Sequence, residues 1–335
     1  MSAPPLSILL PVRNEQQHLP AALASLFRQT FRDWELIAVD DGSQDATGDI
    51  LAEAARKDGR LRVESLPAVG LVAALNHGLQ ACRAPLVARM DGDDICHPQR
   101  LALQIALLRQ RPQVGLVACG IRHFPQPRLS AGMRAYAAWQ NQLLDHATIL
   151  RDLYVESPFA HPSVMFRREL VLRTGGYRDQ GWAEDYDLWL RLAAAGTEFA
   201  RLPQELLFWR DRPNRLTRTA PNCSPAAFRD CKLHHLRQGF LSGSDEVTLL
   251  GAGLEGRAWQ RALLTAGIRV VRWIDVDPRK LGRQLHGAPV LPVSALRPGQ
   301  GKSLVTIGSK GARQQVRTWA AQADLAEGRD FLCVT

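Results

Sequence analysis

The sequence predicts an α/β protein with two domains, and three observations lead to this prediction. Short apolar runs alternate with segments of helical periodicity in the first third of the chain, which is the pattern of a parallel sheet flanked by helices. Carboxylates are clustered directly after two of these runs. Near residue 246 another apolar run leads into a glycine-rich turn and a helical segment, which predicts a second, smaller Rossmann-like domain.

The chain of 335 residues is long enough for two domains. We place a first domain at residues 1–220, a helical linker at 221–244 and the Rossmann-like domain at 245–335. No apolar run has the length of a transmembrane helix, and the start of the sequence lacks the features of a signal peptide. The six scattered cysteines form no zinc or disulfide pattern, so we expect a protein of the reducing cytoplasm.

The formal net charge of +9 would attract phosphorylated substrates, anionic lipids or nucleic acid. The basic residues are neither collected in a run nor interleaved with aromatic residues, so we expect no nucleic-acid partner. Peripheral contact with the inner face of a membrane stays open, because anionic lipids attract basic surfaces.

Four apolar runs predict buried strands, at residues 6–12, 35–39, 61–66 and 85–88. Periodic apolar positions predict helices at residues 17–29, from about 46, and at 70–81. In parallel sheets of this kind, ligands bind at the carboxyl ends of the strands. A polar loop and two acidic clusters lie at those ends, namely Arg13-Asn14-Glu15, Asp40-Asp41 with Asp45, and Asp91 with Asp93-Asp94.

The second acidic cluster places three carboxylates within four residues, after the predicted strand at 85–88. Their mutual repulsion is offset by a divalent cation, and carboxylates with water and a phosphate suit Mg²⁺ or Mn²⁺. A polar surface turn is the alternative, because Asp and Gly both favour turns. Two acidic clusters at one edge of the same sheet favour a nucleotide-and-metal site.

Further along the chain, residues 133–154 predict one helix with an aromatic stripe. His161 precedes a proline at the start of a predicted strand, and Glu184-Asp185 opens a helix, where acidic residues complement the helix dipole. A strand at residues 206–209 leads into four arginines, Arg210, Arg212, Arg215 and Arg218. Guanidinium groups there either pair with phosphate or form a solvated basic loop.

These motifs, taken in order, resemble glycosyltransferase family 2 over about residues 5–220. The resemblance is carried by Pro11-Val12-Arg13-Asn14-Glu15, Asp40-Asp41-Gly42-Ser43-x-Asp45, Ala74-Leu75-Asn76-x-Gly78, Asp91-x-Asp93-Asp94, His161-Pro162-Ser163-Val164-Met165-Phe166-Arg167, Gly175-Gly176-Tyr177, Glu184-Asp185-Tyr186-Asp187-Leu188-Trp189-Leu190-Arg191 and Phe208-Trp209-Arg210. It implies a GT-A fold. It also implies transfer of a sugar from a nucleotide-diphosphate sugar to an acceptor hydroxyl, with inversion at the anomeric carbon.

The resemblance also implies roles for single residues. Asp93 and Asp91 would ligate Mg²⁺ or Mn²⁺, which stabilises the departing diphosphate, and Asp185 would be the general base. Residues of several loops would contact the donor, namely Pro11, Val12, Arg13, Glu15, Asp41, Asp91, Asp94, His161 and Arg210.

Alternatives stay open for several residues. Glu15 either contacts the nucleotide or is solvated, and His161 either lies near the donor or is structural. Asp45 is equally a cap for the helix that follows it. We expect Asp187 to be solvated or to support the base rather than to act as the base.

In the second domain, Gly251, Gly253 and Gly256 follow a predicted strand, and Asp275 ends the next strand near the position of a ribose-binding acid. This part resembles a small Rossmann-like module found beside sugar-modifying enzymes. Three interpretations compete: it binds a sugar nucleotide or acceptor, it binds NAD, or it is a docking module without a ligand.

The leading hypothesis is a metal-dependent, inverting glycosyltransferase of surface-glycan synthesis, with a glycan or lipid-linked acceptor. The first alternative is a non-catalytic protein that binds nucleotide sugars or acts as a scaffold. The second is an NAD-dependent enzyme that uses the carboxyl-terminal domain.

Overall fold

The computed structural model describes residues 3–125, 129–213, 215–309 and 311–335. The chain divides into two compact units. The first comprises Met1–Ile149, Pro158–Gln180 and Glu184–Thr219, and the second comprises Leu150–Ser157, Gly181–Ala183 and Ala220–Thr335. The units therefore differ from the division predicted at residues 220 and 244, because two inner segments and the expected linker helix belong to the second unit.

The first unit contains one mixed sheet. Its strands are β1 (Leu6–Val12), β2 (Glu35–Asp41), β3 (Leu61–Leu66), β4 (Leu86–Arg89), β5 (Ile95–Cys96), β6 (Val114–Phe124), β7 (Val164–Arg167) and β8 (Glu198–Arg210). Its helices are α1 (Leu19–Phe27), α2 (Thr47–Lys57), α3 (Leu71–Ala81), α4 (Arg100–Gln110), α5 (Ala131–Gln142), α6 (His146–Asp152), α7 (Arg168–Arg173), α8 (Glu184–Ala194) and α9 (Leu216–Thr219), of which α6 runs into the second unit.

The strand order is β3-β2-β1-β4-β7-β6-β8-β5. The prediction of a parallel sheet is confirmed for β1 to β4 and for the pair of β6 with β8. It is wrong for β7, which runs antiparallel to both β4 and β6, and for β5, which runs antiparallel to β8. The carboxyl ends of β1, β2 and β4 meet at one edge, so the loops that follow them lie side by side.

The strands β1 and β2 are buried along their whole length, which explains their continuous apolar runs. Helix α3 packs closely against them. A Cβ atom at Gly78 would overlap the side chain of Leu9 and lie 2.8 Å from a methyl group of Val39. Glycine at this position therefore allows the helix to approach the sheet.

The single helix predicted at residues 133–154 is wrong, because two helices, α5 and α6, are separated at residues 143–145. The carbonyl of Leu143 accepts a hydrogen bond of 3.1 Å from the buried guanidinium of Arg201. The carboxylate of Asp145 accepts one of 2.8 Å from the backbone of Thr148. These two contacts end one helix and begin the next, and helical periodicity alone does not reveal them.

The second unit contains α10 (Pro225–Gln238) and a second α/β sheet. Its elements are β9 (Glu246–Leu250), α11 (Leu254–Thr265), β10 (Arg269–Ile274), β11 (Gln284–Leu285), β12 (Ala288–Leu291), β13 (Ser303–Val305), α12 (Ala312–Gln322) and β14 (Phe331–Cys333). The strand order is β11-β12-β10-β9-β13-β14, and all pairs except β11 with β12 are parallel. Trp259 and Trp273 are fully buried in its core.

Polar contacts attach the inner segment 150–157 to this second unit. The buried ammonium of Lys232 donates to the carbonyls of Val155 (2.8 Å) and Val334 (3.1 Å). Arg317 pairs with Asp152 at 2.6 Å. The fold of the second unit therefore includes chain from two separate parts of the sequence. In the described ranges of both units, every helix is too short or too polar to cross a bilayer.

Candidate active site

The loops after β1 and β2 are held together by hydrogen bonds between backbone and side chains. These bonds are Asn14 N to Ser43 Oγ (2.9 Å), Gln44 N to Asn14 Oδ1 (2.8 Å), Glu15 N to Thr47 Oγ1 (2.8 Å), Gln16 N to Asp45 Oδ2 (3.1 Å) and Ala46 N to Gln16 Oε1 (3.0 Å). Asp45 also accepts from Thr47 N at 2.9 Å, at the start of α2. Its carboxylate therefore contacts the first residue of α2 and also joins the two loops, whereas the N-cap position itself is Ala46.

Asp41, predicted to hold the nucleoside, is buried at the end of β2. Its oxygens accept hydrogen bonds from Val69 N (2.6 Å) and Gly70 N (3.0 Å), and Arg13 Nη1 lies 3.7 Å away. The carboxylate thus fixes the loop that precedes α3 beside the end of β1. A nucleoside bound there would meet Asp41 in an orientation already set by the backbone.

The cluster after β4 brings three carboxylates together. One oxygen each of Asp91, Asp93 and Asp94 lies within 4.8 Å of the others. A Cβ at Gly92 would come within 2.7 Å of a methyl group of Val12, so glycine lets this turn lie against the end of β1. Asp94 Oδ1 accepts from Arg210 N at 2.7 Å, whereas its buried Oδ2 has no hydrogen-bond partner.

The electrostatics of this cluster indicate crowded negative charge that the neighbouring arginines offset only in part. Burial and then the neighbouring Asp91 carboxylate raise the pKa of Asp93 to about 6. Burial and the charges of Asp91 and Asp93 raise the pKa of Asp94 well above its usual range. Crowded oxygen donors with one buried, unbonded oxygen fit a hard divalent cation such as Mg²⁺ or Mn²⁺.

Arg89, at the end of β4, lies at the candidate site, and the sequence motifs predicted no role for it. Its side chain is buried and pairs with Asp91. Burial disfavours its charge, but Asp91 and, more weakly, Tyr177 and Glu184 keep the pKa of the guanidinium above its usual value. Arg89 thus contacts the acidic cluster and lies within electrostatic range of the start of α8. An arginine that ends a fully buried strand before an acidic turn was the available signal.

Glu184 and Asp185 begin α8, and Asp185 is the partly exposed member of the pair. Its Oδ1 accepts a hydrogen bond of 2.6 Å from Tyr186 N. Burial and then the charge of Glu184 raise the pKa of Asp185 to about 8, and Arg89 and Asp91 also act on it. The predicted base and the acidic cluster therefore lie within electrostatic range of each other.

His161 lies in a short 3-10 helix (His161–Ser163) and not at the start of a strand, as the sequence analysis expected; β7 begins three residues later. Its Nε2 is 2.9 Å from Tyr177 Oη, and its Nδ1 is 3.6 Å from Glu184 Oε1. Burial and the nearby Arg89 lower the pKa of His161 to about 4. A neutral imidazole therefore connects the Gly-Gly-Tyr turn to the first residue of α8.

One expectation placed Asp187 in solvent, and this expectation is wrong. It is buried and pairs at 2.7 Å with Arg191, one turn further along α8. Arg191 also donates to the carbonyls of Thr174 (2.7 Å) and Gly176 (2.8 Å). The pair therefore fixes the Gly-Gly-Tyr turn against the helix that carries Asp185, which is a supporting role.

The arginines at the end of β8 and in the residues after it have different partners. Arg210 donates from Nε to the carbonyl of Asp93 at 2.7 Å. Arg212 pairs with both oxygens of Glu15, and its Nε lies 3.0 Å from Asp93 Oδ2. Glu15 is therefore not a solvated loop residue. Arg215 lies over the ring of Trp209, and Arg218 pairs with Asp211.

The glycine-rich turn belongs to the second unit. Gly251 has φ +106°, and a Cβ at Gly256 would overlap the carbonyl oxygen of Gly251. Asp275 Oδ2 accepts from Ala252 N at 2.8 Å and pairs with Lys280 at 2.9 Å. Asp275, predicted near a ribose position, thus holds the turn in place. The role of this turn, including Gly253, stays a prediction.

Comparison with solved structures gives the fold class of the first unit. The structure resembles the crystal structure of Staphylococcus aureus TarS 1–349 in complex with UDP-GlcNAc, with a TM-score of 0.56 at 18% identity over 77% of this chain and 79% of that one. It also resembles mannosyltransferase PcManGT from Pyrobaculum calidifontis in complex with GDP-Man and Mn²⁺, with a TM-score of 0.52 at 19% identity over 80% and 70% of the chains. The first unit therefore has the GT-A fold of glycosyltransferases.

Sequence comparison gives the family. The model of glycosyl transferase family 2 matches residues 7–175. The amylovoran biosynthesis glycosyltransferase AmsE of Erwinia amylovora is 32% identical over 60% of this chain and 74% of its own length. The O-antigen biosynthesis glycosyltransferase WbnJ of Escherichia coli is 28% identical over 70% and 88%. The chain belongs to glycosyl transferase family 2 and is a glycosyltransferase.

Proposed function

We propose that this glycosyltransferase is inverting and depends on a divalent cation, and that it moves a sugar from a nucleoside diphosphate to an acceptor hydroxyl. One observation carries the proposal. Asp185, a partly exposed carboxylate whose pKa is raised to about 8, lies within electrostatic range of the oxygen cluster around Asp91. A proton acceptor and a cation site would therefore lie in the same part of the molecule, as a single displacement requires.

The donor would bind across the loops after β1, β2 and β4. The nucleoside would lie against Pro11, Val12 and Arg13, with Asp41 at the edge of the ribose. In support of a nucleotide-sugar donor, related structures were solved with UDP-GlcNAc and with GDP-Man and Mn²⁺. The loops are fixed by their own hydrogen bonds, so little ordering is needed when the donor arrives.

The diphosphate would lie at the acidic cluster. Asp93 and Asp91 would hold Mg²⁺ or Mn²⁺, with Asp94 beside them, and a bound cation would neutralise the charge of the leaving diphosphate. Arg210 is held at the cluster by Asp93 and Asp94. Its guanidinium would face the same phosphate oxygens, for which a planar fork of donors is suited.

Asp185 would accept the proton of the acceptor hydroxyl. The acceptor oxygen forms a bond to the anomeric carbon while the bond from that carbon to the diphosphate oxygen breaks, and the electron pair leaves with the diphosphate. One displacement from the opposite face inverts the anomeric configuration. A base with a pKa near the working pH is suited to this transfer, because it both accepts and releases a proton readily.

The acceptor would be a growing surface glycan, in free or lipid-linked form. In support, similar proteins are named for amylovoran and O-antigen biosynthesis, and one is named a galactosyltransferase acting on a diphosphoundecaprenol-linked sugar. The net charge of +9 would favour peripheral contact with anionic lipids at the inner face of a membrane.

The test is release of nucleoside diphosphate from a panel of sugar nucleotides, with Mg²⁺, Mn²⁺ or a chelator. We expect one donor to turn over only with a cation. Asp185→Asn should lower kcat by about a thousandfold and leave nucleotide affinity unchanged. Asp93→Ala should weaken cation binding and turnover together. Turnover by Asp185→Asn near the wild-type rate would refute the base assignment, and turnover that a chelator leaves unchanged would refute the metal site.

A further inference from the structure

The side chain of Arg212 contacts carboxylates of two different loops. It forms a two-pronged ion pair with Glu15 and places Nε 3.0 Å from Asp93 Oδ2. These carboxylates belong to loops after two different strands, so one guanidinium bridges them. About a quarter of the Arg212 side chain is exposed to solvent, so it can leave this position without opening the core.

We infer that Arg212 is an internal counter-ion that occupies the Asp93 side of the cation site in the free protein. The inference rests on the proposed cation dependence. The carboxylate of Asp93 would be shared by the guanidinium and a divalent cation. Two positive groups next to one carboxylate repel each other. Arg212 is therefore displaced when the cation takes Asp93 as a ligand.

The surroundings of Arg212 provide both a place and a reason for this displacement. Arg212 lines an open polar cavity of about 240 Å³, formed with Asn14, Gln16, Gln17, His18 and Asp45. A nucleoside diphosphate arriving with its cation offers phosphate oxygens, which a guanidinium can bind with two parallel hydrogen bonds. Arg212 is thus a positioning residue that moves from carboxylate to phosphate.

The neighbouring arginines are held in other ways. Arg210 is anchored through Nε to a backbone carbonyl and lies over the ring of Phe124. Arg215 lies over Trp209, and Arg218 pairs with Asp211. Arg212 is the member of this group that spans Glu15 and Asp93, so the exchange is assigned to it.

This exchange makes cation and nucleotide binding cooperative. A cation alone must displace Arg212 without compensation, whereas the cation with a diphosphate supplies a new partner for the guanidinium. Linkage requires that each ligand strengthens the binding of the other by the same factor. Replacing Arg212 by a neutral side chain should remove the competition and most of the cooperativity.

The experiment measures Mn²⁺ binding to the full chain from the electron paramagnetic resonance signal of free Mn²⁺, with and without UDP or GDP. Without nucleotide, Arg212→Gln should bind Mn²⁺ about tenfold more tightly than wild type, the size expected for removal of one partly screened positive charge beside the carboxylate. Its gain in Mn²⁺ affinity on adding nucleotide should be smaller. Arg212→Lys keeps the charge but not the planar pair of donors, so its Mn²⁺ affinity should lie between those of wild type and Arg212→Gln. This variant provides the test if the glutamine variant does not fold.

Arg122→Gln is the matched control, because Arg122 forms an exposed ion pair with Glu205. It should bind Mn²⁺ as wild type does. An affinity of Arg212→Gln equal to or below that of wild type, without nucleotide, would overturn the inference and leave the cation site intact. Absence of Mn²⁺ binding by wild type even with nucleotide would instead refute the proposed cation dependence, and the inference with it.

Discussion

The pair of carboxylates at the start of α8 allows a sharp test of how the protein sets the basicity of Asp185. Burial is the largest cause of its raised pKa, and the charge of Glu184 is the next. Glu184→Gln removes that charge and keeps the shape of the side chain. Burial disfavours the charge of Glu184, but its contact with His161 holds its pKa below the usual value, so it is ionised at neutral pH.

The size of the effect follows from Coulomb's law. Two unit charges roughly 6 Å apart, in an effective dielectric constant of about 20, interact by about 3 kcal/mol. One pKa unit corresponds to about 1.4 kcal/mol, so loss of Glu184 should lower the pKa of Asp185 by about 1 to 2 units once relaxation is allowed for. Starting from about 8, Asp185 in the variant should titrate between about 6 and 7.

The sign follows from the role of the base. Asp185 works in its deprotonated form, so wild-type activity should fall as the pH drops through about 8. In Glu184→Gln this acidic limb should move to lower pH. The measurement is kcat/KM for donor turnover from about pH 5 to about pH 9 at a fixed cation concentration, because kcat/KM reports the free enzyme.

The matched control for this measurement is Glu169→Gln, since Glu169 is an exposed glutamate paired with Arg173 on α7. Its profile should coincide with that of wild type. An acidic limb that stays in place in Glu184→Gln, or moves to higher pH, would show that Glu184 does not set the basicity of Asp185.

Three further predictions concern other parts of the molecule. Arg89→Met should move the same acidic limb to higher pH, because Arg89 lowers the pKa of Asp185; an unchanged kcat/KM profile would contradict this. Asp187→Asn leaves Arg191 buried without its anion and should lower the free energy of unfolding in urea by about 3 to 5 kcal/mol; an unchanged urea midpoint would count against it. Gly256→Ala should speed hydrogen exchange in β9 and β10, because the added Cβ would overlap a backbone oxygen. The control is Gly267→Ala, because that glycine has open space around it and the substitution adds only the strain of a positive φ.

The parts of the fold that could be predicted from sequence are those in which burial is continuous. The runs at residues 6–12 and 61–66 are β1 and β3 with the predicted bounds, and Pro225–Gln238 is the helix of the predicted linker at 221–244. A strand buried on both faces must be apolar throughout, and an amphipathic helix must repeat its apolar positions, so both leave a clear local pattern.

The other half of the first sheet could not be predicted in the same way. No strand was predicted at Val114–Phe124, and only the last part of Glu198–Arg210 was predicted as a strand. Residues 204 and 205 in the middle of that long strand are exposed, and β6 and β8 pair with shifts of register. The sequence does not show that the strand continues through these polar residues, and it does not show the direction of β7.

The acidic residues of the candidate site were predictable because each follows a strand. The partners of these residues could not be predicted, because they come from parts of the chain that are distant in sequence. Arg89 approaches Glu184 from a distant strand, and Arg212 joins Glu15 to Asp93 across most of the first unit's sequence. A sequence shows that a charge is present, but not which opposite charge it meets.

The contacts of Lys232 and Arg317 with residues 150–157 limit how the second unit could be transferred to another protein. The carboxyl-terminal unit is encoded in separate stretches of the gene, so a single crossover near residue 220 would transfer it without Asp152 and the Val155 carbonyl. A graft onto another catalytic chain would leave a buried ammonium group without one of its acceptors. Transfer of this unit to another chain would therefore have to include residues 150–157 as well.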